Sequence, residues 1–314
     1  MPENPLHTIM APRSIAIVGA SNNPANMGTI QFLNLLHSGF PGPVYPIHPK
    51  ETQVFGITAY ARVEDLPEVP DLAMLVLPGR LVPEMMARFG AIGTRHAVII
   101  TAGFGETGED GKALQHALDE AAGRHAMRYL GPNCMGLVNT RLPLNVTAAP
   151  LVSPPGHLGL ISQSGTYITQ TLQYLHKRGV RLDKAVSVGN EASTDLVDVL
   201  DYMAEDPQIR AIGMYIECIR RPAAFLEAAR RITPRKPIIA QYVGGTRAGA
   251  RSGSSHTGAL AGPDRIYDGL FKQAGIIRTN AIEDVYRFGQ ALAVQPLPAG
   301  GQVGILTNSG GPGT

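Results

Sequence analysis

Ile15-Ala16-Ile17-Val18-Gly19-Ala20-Ser21, Leu158-Gly159-Leu160-Ile161-Ser162-Gln163-Ser164-Gly165 and Val303-Gly304-Ile305-Leu306-Thr307-Asn308-Ser309-Gly310-Gly311 share one form. Each is a short apolar run that breaks into small residues. Such a run suits a strand buried on both faces, and the small residues after it leave backbone amides free where the next helix begins. A phosphate-binding unit of a doubly wound α/β domain opens in this way. Three such starts predict two domains of that class and the beginning of another.

Working outward from the first start, apolar runs at 14–18, 44–47, 72–77, 97–101 and 127–130 alternate with helix-like segments such as 28–36 and 112–122. Apolar strands each followed by a helix imply a parallel sheet covered on both faces. After Ala149-Pro150-Leu151-Val152-Ser153-Pro154-Pro155-Gly156 the alternation restarts, with runs at 158–162, 184–188, 211–217 and 237–242. The expected division is 1–150, 151–296 and a truncated start of a further domain at 297–314. A terminal strand without its helix and sheet partners buries little of itself, so the chain reads as the first two domains of a longer protein.

The 314 residues, 44% hydrophobic and 17% charged, suffice for two cores. Lys+Arg 27 against Asp+Glu 25, with no basic tail, argues against nucleic acid as a partner. The N-terminal stretch lacks an apolar signal core and no segment reaches the roughly 18 apolar residues of a membrane helix, which predicts a cytoplasmic protein. Cys134 and Cys218 are too few for a disulfide framework and read as structural thiols.

The first turn, Gly19 to Gly28, departs from G-x-G-x-x-G because Ser21 replaces the second glycine, so it fits a tight strand-to-helix turn as well as a ligand site. Lys50 closes Val44-Tyr45-Pro46-Ile47-His48-Pro49-Lys50, where a second strand ends. A lysine there suits a phosphorylated nucleotide, whereas an acidic residue would suit the ribose of NAD; a solvated surface lysine fits the position equally. Glu217 ends the run 212–217, at the edge where parallel sheets bind ligands, and its carboxylate can fix the tautomer of a histidine ring or simply meet water. Ser162-Gln163-Ser164-Gly165-Thr166 supplies a helix N-terminus that favours an anion, or serves as an ordinary cap. His256 lies in a run of small residues from Gly249 to Gly262, which lets a bulky group approach the imidazole; a solvated surface histidine fits that run equally. The remaining histidines show no metal-ligand spacing, and neither a G-x-S-x-G elbow nor a complete Walker A sequence is present. No metal site is expected.

At Gly19-Ala20-Ser21, Gly131-Pro132-Asn133-Cys134-Met135-Gly136, Ser162-Gln163-Ser164-Gly165 and Ser255-His256-Thr257-Gly258-Ala259-Leu260-Ala261-Gly262 the chain resembles the NDP-forming acyl-CoA synthetases, relatives of the α subunit of succinyl-CoA synthetase. The resemblance implies a Rossmann-like CoA-binding domain followed by a flavodoxin-like ligase domain. It implies CoA along Gly19, Ser21, Asn22, Gly28, Lys50, Ala102, Gly103, Phe104 and Asn133, and phosphate at Ser164, Gly165 and Thr166. His256 would be phosphorylated, with Glu217 orienting it. Acyl-CoA and phosphate would give acyl phosphate and CoA, and the phosphoryl group would pass through His256 to ADP. ATP, ADP and Mg would be handled only by an ATP-grasp domain or subunit, and an oligomer is expected.

Tyr242 and Gly245 fall where relatives often have lysine and arginine, Asn26 where lysine is frequent, and His48 where asparagine is common. Two other readings stand beside the enzyme: a CoA-binding regulatory module without turnover, and an NAD-dependent dehydrogenase, which Lys50 and the altered glycine turn oppose.

Overall fold

The computed structural model describes residues 4–150, 153–245 and 262–313. His256 therefore lies outside the described residues.

The first unit holds strands β1 (Ile15–Val18), β2 (Val44–Ile47), β5 (Leu72–Leu75), β6 (His96–Ile99) and β7 (Arg128–Leu130), with a small antiparallel hairpin of β3 (Gln53–Val54) and β4 (Ile57–Thr58). The five strands form one wholly parallel sheet in the order β2-β1-β5-β6-β7. Alternation along β1 explains why it reads as a continuous apolar run. Ile15 and Ile17 pack with Phe32 and Leu35 of helix α2 (Met27–His37) and with Ile9 and Met10 of α1 (His7–Met10). Ala16 and Val18 pack on the other face with Met86 and Phe89 of α3 (Val82–Ile92) and Leu118 of α4 (Glu109–Arg124). Each large side chain so buried contributes about 1.5–3 kcal/mol.

The second sheet contains β8 (Leu137–Asn139), β9 (Leu144–Asn145), β10 (Leu158–Ser162), β11 (Leu182–Ser187), β12 (Ala211–Ile216), β13 (Ile238–Tyr242) and β14 (Ile277–Thr279). Its order is β14-β13-β12-β10-β11-β8-β9. Helices α5 (Gly165–Lys177), α6 (Leu196–Glu205), α7 (Pro222–Ile232), α8 (Asp264–Ala274) and α9 (Ile282–Val294) cover it. Leu158 and Leu160 meet Ile168 and Leu172 of α5 and Val285 of α9, while Ile161 joins Leu200 of α6 and Phe225 of α7. The five strands from β10 onward are parallel, but β8 runs antiparallel to β11 and β9 antiparallel to β8. The second sheet is thus mixed, where parallel strands alone were expected.

β8 and β9 also precede the Pro-rich stretch that suggests a boundary, yet hydrogen bonding places them in the second sheet. A single apolar cluster runs from Ile15 and Phe32 through Leu137 and Val146 to Ile161 and Phe225, so the two units share a core. The run at 303–306 forms no strand: Val303, Ile305 and Leu306 are 85%, 69% and 102% exposed.

Counted within the parallel strands, both sheets have the order 2-1-3-4-5, whose topological switch point lies between first and third strands. Ligands of open α/β sheets bind in the crevice outside the carboxyl ends of the strands at that point. In this chain the two switch points are the ends of β1 and β5, and of β10 and β12.

Candidate functional site

At the first switch point, Gly19 follows β1 with φ +108°, and a Cβ there would stand 1.8 Å from the carbonyl oxygen of Val76. Gly28, in the first turn of α2, backs onto Gly19: a Cβ on it would lie 2.5 Å from the Gly19 carbonyl oxygen. The two glycines bring strand end and helix start into backbone contact. Ser21 is buried, exchanges hydrogen bonds with Thr29, and accepts at Oγ from Asn26 Nδ2 at 2.9 Å. Asn26 is the N-cap residue of α2 but makes no side-chain cap, and the first turn carries no acidic residue. Helix α6 shows the contrast, with Asp195 and Asp198 forming a full capping box. The positive end of α2 thus has neither a side-chain cap nor a first-turn carboxylate to offset it.

The Asn22 amide donates to the Glu51 carboxylate at 3.0 and 3.2 Å, and the Asn22 side chain holds the β3–β4 hairpin through Gln53 O and the Phe55 amide. Lys50, beside Glu51, is exposed. In the turn after β6, Ala102 is exposed, Gly103 has φ +101° and Phe104 is fully buried. The Gly103 and Phe104 amides both donate to the Glu106 carboxylate, at 2.6 and 3.1 Å. Any phosphate that uses these amides must displace a carboxylate.

The second switch point stands against the first unit. Asn133, with φ +56°, donates from Nδ2 to Asn190 Oδ1 at 3.2 Å, and Asn190 Nδ2 donates to Glu106. Gly165 abuts Met135, where an added Cβ would come within 2.7 Å of the Met135 Cβ. Ser164 is buried, its hydroxyl 3.2 Å from that of the exposed Thr166, and the first turn of α5 has no acidic residue. Glu217, directly after β12, is buried, and its backbone amide donates to Gln163 Oε1 at 2.6 Å.

The structure thus brings Gly19, Ser21, Asn22 and Gly28 together at one edge, and Asn133, Ser164, Gly165 and Glu217 around the other. Sequence reasoning missed Glu51, Glu106, Gln163 and Glu191. Glu191 was accessible by the sign that found Glu217, a carboxylate just past a buried strand, here after β11. It is buried, with φ +54°; it accepts from the Leu196 amide at 2.8 Å and from Gln163 Nε2 at 2.7 Å, and Arg220 Nε lies 3.6 Å away.

Burial pushes the Glu191 carboxyl up to about 7, with Asp195 adding to the rise and the Leu196 amide, Gln163 and Arg220 opposing it. A carboxyl raised in the folded state contributes stability at low pH that is lost as pH climbs through the folded value. Relative to Glu191→Gln, the wild type is therefore expected to lose up to about 3 kcal/mol as pH rises from about 4.5 to about 7. Urea unfolding of both proteins across that window measures it, and a constant difference between them would refute the assignment.

Both cysteines are buried and free, and burial raises both thiols, which fits inert structural roles. Among the described residues no group of three or more His, Cys, Asp or Glu side chains could hold a metal ion, and no helix is long and apolar enough to cross a membrane.

Comparison with known proteins matches residues 13–140 to the family described as CoA binding domain, and residues 155–292 to that of the succinyl-CoA ligase like flavodoxin domain. The α subunit of ADP-forming acetate–CoA ligase I from Pyrococcus furiosus is 38% identical over 312 residues, covering 98% of this chain and 68% of the subunit. The chain belongs to the ADP-forming acyl-CoA synthetase family. A second α subunit of the same organism, from ligase II, is 42% identical over 303 residues, with 96% and 65% covered. The solved dinucleotide forming acetyl-coenzyme A synthetase 1 of Ca. Korarchaeum cryptofilum, in complex with phosphate and ADP, superposes with a TM-score of 0.90 at 38% identity, covering 95% of this chain and 64% of that one. This member of the synthetase family spans about two thirds of the length of those α subunits.

Proposed function

We propose that the chain is the CoA-binding and phosphohistidine-bearing part of an ADP-forming acid–CoA ligase. The observation that carries this reading is the pairing of two switch points: an uncapped helix start behind Gly19 and Gly28 in the first unit, and Glu217 beside the Ser164–Thr166 turn in the second, joined through Asn133, Asn190 and Glu106. The α2 start and Lys50 take the phosphates of CoA, and Asn133 and the 102–104 turn lead toward the second site. There phosphate, bound at Ser164, Gly165 and Thr166, attacks the thioester carbonyl; the carbon–sulfur bond breaks, and acyl phosphate and CoA thiol form. His256 then attacks phosphorus and releases the carboxylate. Neutral imidazole is a competent nucleophile near neutral pH, and Glu217 holds the ring and stabilises the charge it gains. The phosphoryl group passes to ADP on an ATP-grasp domain or subunit, which supplies Mg as well.

Residues 1–150 act as the CoA unit, lending β8 and β9 to the sheet of the ligase unit at 151–296, in a cytoplasmic, oligomeric enzyme. Carboxylic acids and their CoA thioesters are its substrates.

Titration calorimetry tests the first half. CoA should bind, NAD should not, and Lys50→Ala should weaken CoA binding about tenfold or more, the worth of a charge-assisted contact to phosphate. Preferential binding of NAD overturns this reading.

A further inference from the structure

Gln163 lies buried between the Glu191 carboxyl group and the Glu217–Cys218 backbone, and each of its hydrogen-bonding positions is filled. Its Nε2 donates to Glu191 Oε2 at 2.7 Å and to the Cys218 carbonyl oxygen at 2.9 Å. Its Oε1 accepts the Glu217 amide at 2.6 Å and the Cys218 amide at 3.0 Å. A carboxamide has two N–H donors and two oxygen lone pairs, so the side chain is saturated. Flipping it would set Nε2 against two N–H donors and Oε1 against a carbonyl and a carboxyl, which leaves one workable orientation.

These bonds join the ends of three neighbouring strands: β10, which leads to Gln163; β11, which leads to Glu191; and β12, which leads to Glu217 and Cys218. We propose that Gln163 is a positioning residue for phosphoryl transfer, its carboxamide holding the Glu217–Cys218 backbone in fixed register with the carboxyl group of Glu191. The inference rests on the phosphohistidine reading above and deepens it. Glu217 orients the reacting ring only if its own backbone is held, and misplacement of about 1 Å can cost on the order of a hundredfold in rate.

The pair has a polarity that can be exchanged. Gln163→Glu alone sets two carboxyl groups against one another, so they share a proton and the site recovers toward acid pH. Glu191→Gln alone leaves the new carboxamide with an N–H facing a donor, either Gln163 Nε2 or the Leu196 amide. Exchanging both restores one donor and one acceptor between positions 163 and 191, while the Cys218 carbonyl loses the N–H it accepts from Gln163, so the recovery is partial. The carboxylate introduced at position 163 still accepts the Glu217 and Cys218 amides, and the carboxamide introduced at position 191 donates to it while accepting from Leu196. The groups facing Glu191 are Gln163, Arg220, the Leu196 amide, Asp195, Cys218 and Tyr267. The exchange alters the first of these and the Cys218 carbonyl it holds, and leaves the rest untouched.

The test measures the rate of radiolabelled phosphate uptake by the full chain with its ATP-grasp partner and an acyl-CoA, from about pH 5 to about pH 8. Q163E should fall about a hundredfold near neutral pH and recover toward acid, E191Q should fall about tenfold, and the double exchange should regain at least about tenfold over Q163E. A double variant no better than Q163E, or Q163E labelling like the wild type, overturns the inference and leaves the phosphohistidine reading standing. A wild type that takes up no label at any pH removes both. Should Q163E not fold, Gln163→Met carries the test: the same loss without acid recovery is expected, and wild-type labelling overturns the inference.

Discussion

Uptake of phosphate disappears in His256→Ala, with a loss of at least about a thousandfold, as expected when the nucleophile of a covalent mechanism is removed. The wild-type label should be labile to acid and stable to base, the behaviour of nitrogen-linked phosphate. Glu217→Ala should lose about a hundredfold, because a mispositioned ring still has its nucleophilic nitrogen. Glu217 follows its strand beside β10 at the carboxyl edge of the sheet, whereas His157 precedes β10 at the opposite edge, its Nδ1 2.8 Å from the Gln208 carbonyl oxygen. His48 belongs to the first unit, where its Nδ1 accepts the Glu51 amide at 3.0 Å. Labelling of His256→Ala equal to the wild type would falsify the phosphohistidine assignment.

The sequence shows parallel strands with clarity because β1, β5 and β10 are buried on both faces and so lack polar interruptions. It conceals the strands that break this rule. The run at 184–188 leaves out Leu182 and Asp183, the first two residues of β11; yet Asp183 is buried as an ion pair with Lys184 at 2.7 Å, with Lys184 also 2.6 Å from Asp206. β8 and β9 are short and end in Asn139 and Asn145, buried asparagines whose amides donate to the Met10 and Ala149 carbonyls. No periodicity marks such segments, because their polarity is satisfied by tertiary partners that the local sequence does not name. The run at 303–306 errs the other way: its pattern is that of a strand, but it is exposed and pairs with no strand among the described residues.

The same division holds at the site. Gly19 and Glu217 stand at strand ends, where position alone gives them meaning. Gln163 reads in the sequence only as part of a turn, since a carboxamide acquires its role from the four groups around it. Glu51 and Glu106 are invisible for a related reason. Each caps amides within its own neighbourhood, and the small residues that promise free amides do not reveal that a carboxylate further along the chain folds back onto them.

Gly19→Ala is expected to cost more than about 3 kcal/mol and to abolish CoA binding. Two effects add. The left-handed backbone at φ +108° strains any side chain by about 1–2 kcal/mol. The Cβ would also stand 1.8 Å from the Val76 carbonyl oxygen, a backbone atom at the end of β5 that cannot swing aside. Relief requires β1 and β5 to part at the switch point, which moves the α2 start away from the crevice it serves, since Gly28 rests on Gly19. Gly39→Ala separates the two contributions: Gly39 has φ +82° but nothing within 4 Å of an added Cβ, so only the backbone strain of about 1 kcal/mol applies. Denaturant unfolding and CoA calorimetry on both variants decide the matter. If Gly19→Ala is no less stable than Gly39→Ala, or binds CoA like the wild type, the close approach of β1 and β5 does not shape the CoA site.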